Sequence, residues 1–557
     1  MTFEGELRQV FKGEIKSDKA SLDAASGDAS IFQIEPALVV APKDSADLQS
    51  LVTFVSENKK HYPNLSLTAR AAGTDMGGGP LTSSVVVDFM PHFQGTLNVD
   101  ETHGEATVMP GTYYRDFEKQ TLAKGLLLPC YTASRELNTV GGMVANNSAG
   151  EKTLTYGPTA NYVKEIKVVL SDAKEHIFKP IDAKVLVIKE SEQSFEGKLY
   201  RDLHKLLDDN RELIRKAKPK VSKNSAGYML WDIWDGKTFN MTRLITGSQG
   251  TLGFVSEITF KLVKPKTHST LLVIFLYDFE TLPQLVNTVL KHNPESFESY
   301  DDHSMKLAVR FMPDFFRRLG VMGMLRLGWQ FLPEMWMMAT GGTPKMVLVA
   351  EFTGDSEKEV YDKARATEAD LVEHEAQTHV TKADEHITKS DAEESKYWTI
   401  RRESFSLLRK HVHGKHTAPF IDDIIVAPEH LPQFLPKLTK LMKGYDIIYT
   451  IQGHIGNGNF HIIPLMDFGR PDFKKVIAEL SYRVYDLVLF FGGSIAGEHN
   501  DGLIRTPYLE KMYGKEVVEL FRQVKYLFDP QNIFNPGKKV GGSLAYSYEH
   551  IRHSWPR

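Results

Sequence analysis

Residues 70–80 read Arg70-Ala-Ala72-Gly73-Thr74-Asp75-Met-Gly77-Gly78-Gly79-Pro80, a glycine-dense stretch between two runs of strand character. Lacking a Cβ, glycine lets backbone N–H groups come close to a ligand. Successive N–H groups in such a loop form a concave anion site. Two further clusters follow: Thr139-Val-Gly141-Gly142-Met-Val-Ala-Asn146-Asn147-Ser148-Ala-Gly150, and Gly247-Ser-Gln249-Gly250-Thr251-Leu-Gly253. Any one of them alone reads as a tight turn. Three within the first 265 residues point to a buried polyphosphate. Neither G-x-G-x-x-G nor G-x-x-x-x-G-K-[ST] is present, so a Rossmann or P-loop frame is not expected.

Around the first loop, Pro36 to Pro42 reads as a short buried strand, and Ser84–Asp88 and Val163–Leu170 as others. Ala46–Asn58 carries Leu48, Leu51, Val52 and Val55 at helical spacing. Residues 183–223 read as an insertion, helical in its second half. Arg211, Arg215, Lys216, Lys218, Lys220 and Lys223 make it basic, either as a solvated face or as a site for an acidic partner. From His268 to Ser494, strands such as Leu271–Tyr277 and Met346–Phe352 alternate with helical patterns, and Ala366–Lys396 reads as an acidic helix.

The composition excludes several classes. With 67 Lys and Arg against 71 Asp and Glu, the net charge is −4, without the basic footprint of a nucleic-acid protein. Apolar residues at 42% and charged residues at 25% are globular values. The single cysteine, Cys130, excludes an internal disulfide and any multi-thiolate zinc or iron–sulfur site, and suits a reducing, cytoplasmic compartment. The N-terminal residues lack the apolar core of a signal peptide.

A second set of residues carries metal chemistry. In Gly453-His454-Ile-Gly456-Asn457-Gly458-Asn459-Phe-His461, Asn457-Gly458 is a two-residue hairpin signal. That turn would place His454 and His461 directly opposite on one face, as ordinary hairpin histidines or as imidazoles sharing an ion. Further on, Gly497-Glu498-His499-Asn500 puts an acid beside a histidine. Neighbouring strand residues face opposite ways, so both serve one site only if the chain bends there. Two histidines and a carboxylate would leave coordination positions open for substrate.

Together these motifs resemble the vanillyl-alcohol-oxidase type of FAD-binding oxidoreductase, in the branch containing D-lactate dehydrogenase, D-2-hydroxyglutarate dehydrogenase and the glycolate oxidase flavoprotein subunit. The resemblance runs from about residue 30 to 540. It implies an α+β architecture: a two-subdomain FAD-binding domain (1–266), a substrate domain with an antiparallel sheet (267–497, with an apolar insertion at 303–345), and a C-terminal segment (498–557) returning to the FAD domain. FAD contacts implied by position are Arg70, Ala72, Gly73, Thr74, Asp75, Gly77, Gly78, Ser134, Thr139, Gly141, Gly142, Asn146, Asn147, Ser148, Gly150, Gly250, Thr251, Gly253 and Val255. Thr74 stands where covalently flavinylated relatives carry His, so noncovalent FAD is implied. Gln249 replaces the usual Glu. The family's G-H-x-G-D-G-N-x-H matches 453–461 with Asn457 for Asp, and its G-E-H-G matches 497–500 with Asn500 for Gly. One divalent ion, Zn²⁺ or Mn²⁺, on His454, His461 and Glu498 is implied, with His499 as base. In Tyr397-Trp398-Thr-Ile-Arg401-Arg402, Arg401 takes the substrate-carboxylate position. Ile421 and Ile463 stand where hydroxyglutarate enzymes have polar residues, which favours a monocarboxylate.

The implied activity is oxidation of a D-2-hydroxy acid, D-lactate-like or D-2-hydroxyglutarate, with electrons passed to a quinone or protein acceptor. A non-redox transferase resembling alkylglycerone-phosphate synthase and an electron-transferring flavoprotein subunit are the other readings. Met305–Met338 is rich in Met, aromatics and Arg. It suits a core hairpin, a lid, or a peripheral, nonspanning attachment to the inner face of a membrane.

Overall fold

The structure, a computed structural model, describes residues 3–279, 282–302, 344–378, 383–399, 401 and 414–552. The first glycine loop lies between two adjacent parallel strands. Strands β1 (Glu14–Lys16), β2 (Leu38–Ala41), β3 (Leu67–Arg70) and β4 (Val85–Asp88) form one sheet in the order β1-β2-β4-β3. The pairs β2–β4 and β3–β4 are parallel. All four residues of β2 are buried, as expected of a strand covered on both faces. The helix Ser45–Asn58 buries Leu48, Leu51, Val52 and Val55 against this sheet and is capped by Asp44.

An antiparallel sheet follows, built from β5 (Thr96–Asp100), β6 (Glu105–Val108), β7 (Val163–Val169), β8 (Glu175–Phe178) and, after the short pair β9 (Ile181–Asp182) and β10 (Thr238–Phe239), β11 (Phe254–Lys261). Between β9 and β10 the chain is helical from the outset, over Ala183–Ser191, Phe195–Asp209 and Arg211–Ala217. This corrects the expectation that only the second half of 183–223 is helical. The first helix escaped notice because its Val185, Val187 and Ile188 are exposed and leave no clear apolar stripe. Its N-terminus is held by Asp182, which accepts from the N–H groups of Lys184 and Val185.

The third sheet is the largest. It contains β12 (His268–Leu276), β13 (Ser296–Asp301), β14 (Met346–Gly354), β15 (Ala383–Ile387), β16 (His416–Thr417), β17 (Ile424–Ile425), β18 (Ile448–His454) and β19 (Asn459–Met466). The order is β15-β12-β14-β13-β18-β19-β16, with β17 also pairing with β19. Ala366–Lys396 is not one helix: the helix Glu357–Thr378 ends and β15 pairs with β12 at the sheet edge. The acidic composition of that stretch concealed a strand, because an edge strand carries charge on its open side. The segment Met305–Met338 lies outside the described residues.

The C-terminal residues return to the first two sheets. Leu67 donates to the Ile533 carbonyl, and Asn535 donates back to the Leu67 carbonyl. Asn535 Nδ2 donates to the carbonyls of Gly79 and Gln249, joining the first and third glycine loops. Lys525 is buried, with Nζ 2.7 Å from the Thr251 and Phe534 carbonyls and 2.5 Å from Asp529 Oδ2.

Two outcomes follow for stability. Lys525→Met leaves Asp529 buried without its cation, and the variant should lose about 3–5 kcal/mol in urea unfolding. His176 sits between Asp172 and Glu196. Burial pushes its pKa down, but hydrogen bonds and charge from those two acids outweigh this and raise it to about 9. The unfolded value is about 6.5, so this stabilisation is complete below that pH and fades as pH rises through about 9. The melting-temperature gap between wild type and His176→Gln should therefore narrow from pH 6 to pH 10.

Candidate active site

The hairpin differs from the sequence expectation in register. Gln452 pairs with His461 and His454 with Asn459. The loop therefore spans 455–458, a 3₁₀ turn over Ile455–Asn457 closed by Gly458 at φ 69°. A two-residue Asn-Gly turn needs both residues at positive φ, and only Gly458 is. A Cβ there would lie 1.8 Å from the Val426 carbonyl oxygen. His454 and His461 are consequently diagonal neighbours rather than directly opposed. They still share one face, with ring centroids 5.4 Å apart.

The bend that brings Glu498 and His499 together is also present. Asp423 Oδ2 accepts from the N–H of Glu498 at 2.8 Å and of His499 at 2.6 Å. Asn500 follows at φ 62°, a left-handed position that Asn tolerates better than most residues. Its side chain donates to the carbonyls of Asn146 and Gly247, tying the bend to the second and third glycine loops.

Three imidazoles converge on one carboxylate oxygen. Glu498 Oε1 lies 3.1 Å from His461 Nε2, 3.3 Å from His454 Nε2 and 3.6 Å from His499 Nε2. The outer nitrogens are held by carboxylates: His454 Nδ1 by Glu298 Oε1 at 2.6 Å, His461 Nδ1 by Asp422 Oδ1 at 3.1 Å, and His499 Nδ1 by Asp422 Oδ2 at 2.6 Å. Glu298 and Asp422 were missed in the sequence. The adjacent acids Asp422-Asp423 inside the apolar run Pro419–Val426 were a readable signal; Glu298 in β13 offered none. Asn457, where the family motif has Asp, donates to Ser222 Oγ at 2.9 Å and holds no imidazole.

This donor set fits a divalent ion. When neutral, imidazoles whose Nδ1–H donates to carboxylate present bare Nε2 lone pairs toward Glu498 Oε1. Acceptors facing one another at this distance require a proton or a cation between them. Ligands of a tetrahedral zinc at 2.0–2.1 Å stand about 3.3 Å apart, which matches the separations of Glu498 Oε1 from His461 and His454. Burial opposes ionisation of Glu498, but Lys223 and His454 hold its pKa well below the usual range. Burial likewise opposes ionisation of Asp422, and His499 and His461 hold it low. Burial pushes His461 down, but Asp422 and Glu498 raise it to about 10.

Arg401, expected at the substrate-carboxylate position, holds a carboxylate of the protein with one edge. Its Nε and Nη2 lie 2.9 and 2.8 Å from Glu298 Oε2, so this edge of the guanidinium grips an internal carboxylate that also holds His454. Arg402 lies outside the described residues. Ile463 shares the inward face of β19 with His461, two residues away, and Ile421 is fully buried.

The glycine loops divide into two groups. Side chains at Gly141, Gly150 and Gly253 would meet Pro110, the Tyr131 carbonyl and the Val169 carbonyl at 2.5, 2.0 and 2.7 Å. Gly78 would meet Phe32 at 2.8 Å. These four allow chain to pack on chain. At Gly77 and Gly142 a Cβ would meet its nearest neighbours at 3.5 and 3.3 Å, and at Gly250 at 3.4 Å with φ 67°, so packing is looser there than at the other four, and backbone open to close approach suits FAD binding. Asp75 accepts from Gly77 and Gly79 N–H and from Asn146 Nδ2, which fixes the loop. Gln249 donates to Asn146 and accepts from Gly502 N–H, a bridge that a Glu could not make from both ends. Arg70 turns back to the carbonyls of residues 24–27. Ala72, Gly73 and Thr74 are half-buried in the first loop, while Ser134 is exposed and paired with Thr132. Thr139 caps the helix Val140–Asn146, Asn147 ends it in a left-handed turn, and Ser148 is buried behind it. The Thr251 hydroxyl is occupied by Tyr228 and the Ser248 carbonyl, and Val255 lies in β11.

Residues 36–178 match the family described as "FAD binding domain", and residues 265–539 match "FAD linked oxidases, C-terminal domain". The chain belongs to the FAD-linked oxidases. Similar members include a D-2-hydroxyglutarate dehydrogenase of Pseudomonas putida, 27% identical over 95% of this chain and 50% of its own length. A glycolate oxidase subunit GlcD of Bacillus subtilis is 27% identical over 91% of this chain and 89% of its own length. A D-lactate dehydrogenase of Archaeoglobus fulgidus is 25% identical over 97% of this chain and 99% of its own length. This FAD-linked oxidase spans about half the length of the hydroxyglutarate relatives from Pseudomonas putida, Haemophilus influenzae, Escherichia coli and Pantoea ananatis, and 96% of that from Stutzerimonas stutzeri. Its fold matches p-cresol methylhydroxylase (TM-score 0.67, 12% identity, 97% of this chain and 96% of that one) and alkyldihydroxyacetonephosphate synthase (TM-score 0.65, 16% identity, 96% and 84%). The vanillyl-alcohol-oxidase-type fold expected from the loops is the one observed.

Asp422→Asn should weaken divalent-metal binding about 10–100-fold while leaving flavin content unchanged, as read by metal analysis and the visible flavin spectrum.

Proposed function

We propose that this FAD-linked oxidase is a dehydrogenase of D-2-hydroxy acids that holds FAD noncovalently together with one divalent ion. The single observation that carries the proposal is the convergence of His454, His461 and His499 on Glu498 Oε1, beside the loop edge formed by Asn146 and Gly247. FAD would accept the C2 hydride of the substrate, and Zn²⁺ or Mn²⁺ on His454, His461 and Glu498 would polarise the 2-hydroxyl. His499 keeps Nδ1 on Asp422, so Nε2 faces the cluster and takes the hydroxyl proton as general base. Asp422 then stabilises the imidazolium that forms. Gly77, Gly142 and Gly250 line the flavin phosphate and ring approach.

Ile463 beside His461 supports a short apolar substrate chain, D-lactate-like. The second reading, D-2-hydroxyglutarate, is supported by the relatives of that name. The one cysteine leaves this chain without a four-thiolate cluster, so a quinone or another protein is the proposed acceptor. Among the described residues no helix is long and apolar enough to cross a membrane. Peripheral attachment through Met305–Met338 remains part of the proposal, with flotation on anionic liposomes as its measurement.

Anaerobic titration with paired D- and L-2-hydroxy acids tests the activity. A D-acid should bleach the flavin and its L-enantiomer should not; no bleaching by any acid would remove the reading. Heat or acid denaturation should release the flavin into the supernatant. His499→Ala should keep the metal and lose turnover by about 10²–10⁴-fold.

A further inference from the structure

Lys223 closes a basic stretch, Arg211 to Lys223, that reads in sequence as a solvated face or a site for an acidic partner. Its side chain is 0% exposed, and Nζ lies 2.6 Å from Glu498 Oε2. The two oxygens of Glu498 therefore have separate partners: Oε1 addresses the histidines, and Oε2 addresses an ammonium.

The segment around Lys223 is built onto the same site. Ser222 Oγ accepts from Asn457 at the hairpin turn. Asn224 Oδ1 accepts from Ser494 Oγ at 2.6 Å. Ser225 donates its N–H to the Ala496 carbonyl, and its Oγ accepts from Asn500 N–H. Lys539 grips the carbonyls of Ser225 and Gly227 from behind. Four consecutive residues, 222–225, thus each bind a loop that carries a site residue. The lysine among them cannot swing away without breaking its neighbours' bonds.

We propose that Lys223 is a positioning residue for the metal: it holds Glu498 to one-oxygen ligation and offsets that ligand's charge. Two consequences follow from electrostatics. An ammonium on the distal oxygen repels a bound dication, so metal affinity is lower than the ligand set alone would give. With Oε2 occupied, Glu498 cannot chelate through both oxygens, so a coordination position stays open for the substrate hydroxyl. Lys223 therefore trades metal affinity for an open, electron-poor ion. This inference rests on the metal assignment made above and extends it to a residue outside the His/Glu set.

The test is direct metal binding to the flavin-loaded full chain, freed of metal by chelation and titrated with Mn²⁺ alone or Zn²⁺ alone. Lys223→Met should bind on the order of tenfold more tightly than wild type, the direction set by removing a like charge beside the cation. X-ray absorption on the zinc form should show an added oxygen ligand. Turnover should fall, and Lys223→Arg, which restores a cation, should return affinity toward wild type. A purely structural lysine gives the opposite sign, with metal bound more weakly when it is removed. Equal or weaker binding by Lys223→Met, with flavin content and melting temperature at wild-type values, would overturn the role. Lys223→Gln, still able to donate one hydrogen bond, serves if the Met variant does not fold; failure of both neutral variants to fold would make Lys223 a folding residue and likewise overturn it. A wild-type chain that binds neither ion would overturn the metal reading along with this one. Unchanged binding by the variant beside a metal-binding wild type overturns only the part given to Lys223.

Discussion

Two adjacent buried carboxylates, Asp422 and Asp423, hold the part of the molecule on which the rest depends. Asp422 divides its oxygens between His461 and His499, and Asp423 takes the backbone N–H groups of Glu498 and His499. Burying two neighbouring acids is unfavourable unless each is fully hydrogen-bonded or paired. Their partners are the residues that make the site. Arg505, itself fully buried, completes the arrangement by donating to the carbonyls of Asp422, Ile495 and Asn500. Stability of this knot and geometry of the imidazoles are therefore one property.

The same knot joins the two halves of the chain. Loop 497–505 touches the large sheet through Asp423 and the glycine loops through Asn500, Gly502 and Leu503; Leu503 N–H donates to the Gly77 carbonyl at 2.8 Å. A group seated on the glycine cradle and an ion among the histidines would thus be positioned by one short segment. Precision of this kind needs rigid support, and buried cations supply it: Lys525, Lys538 and Lys539 each reach backbone carbonyls of the FAD-binding half.

Charge around the histidines is arranged in pairs. Arg401 faces Glu298, Lys223 faces Glu498, and Asp422 faces two imidazoles. Each carboxylate that orients or ligates is itself restrained, so the Nε2 atoms are left aimed at a common point. Ring orientation set by an outer carboxylate is the usual way that a histidine site is tuned.

Local pattern in the sequence was enough for the glycine loops, the strand β2, the helix Ser45–Asn58, and the shared face of His454 and His461. Each depends on residues close in the chain: missing Cβ atoms, 3.6-residue or two-residue periodicity, a turn dipeptide. Tertiary structure alone decided the hairpin register, the fate of individual glycines, and the outer shell of acids and cations. Val426 stands against Gly458 in the turn of that hairpin, a contact that no local signal encodes. Gly141 and Gly142 are neighbours in sequence, yet Pro110 packs on the first and not on the second. Glu298 and Asp422 reach the histidines, and Lys223 reaches Glu498, from segments 39 to 275 residues distant from their partners. A buried charge reveals its purpose only through the group it faces, and that group is chosen by the fold.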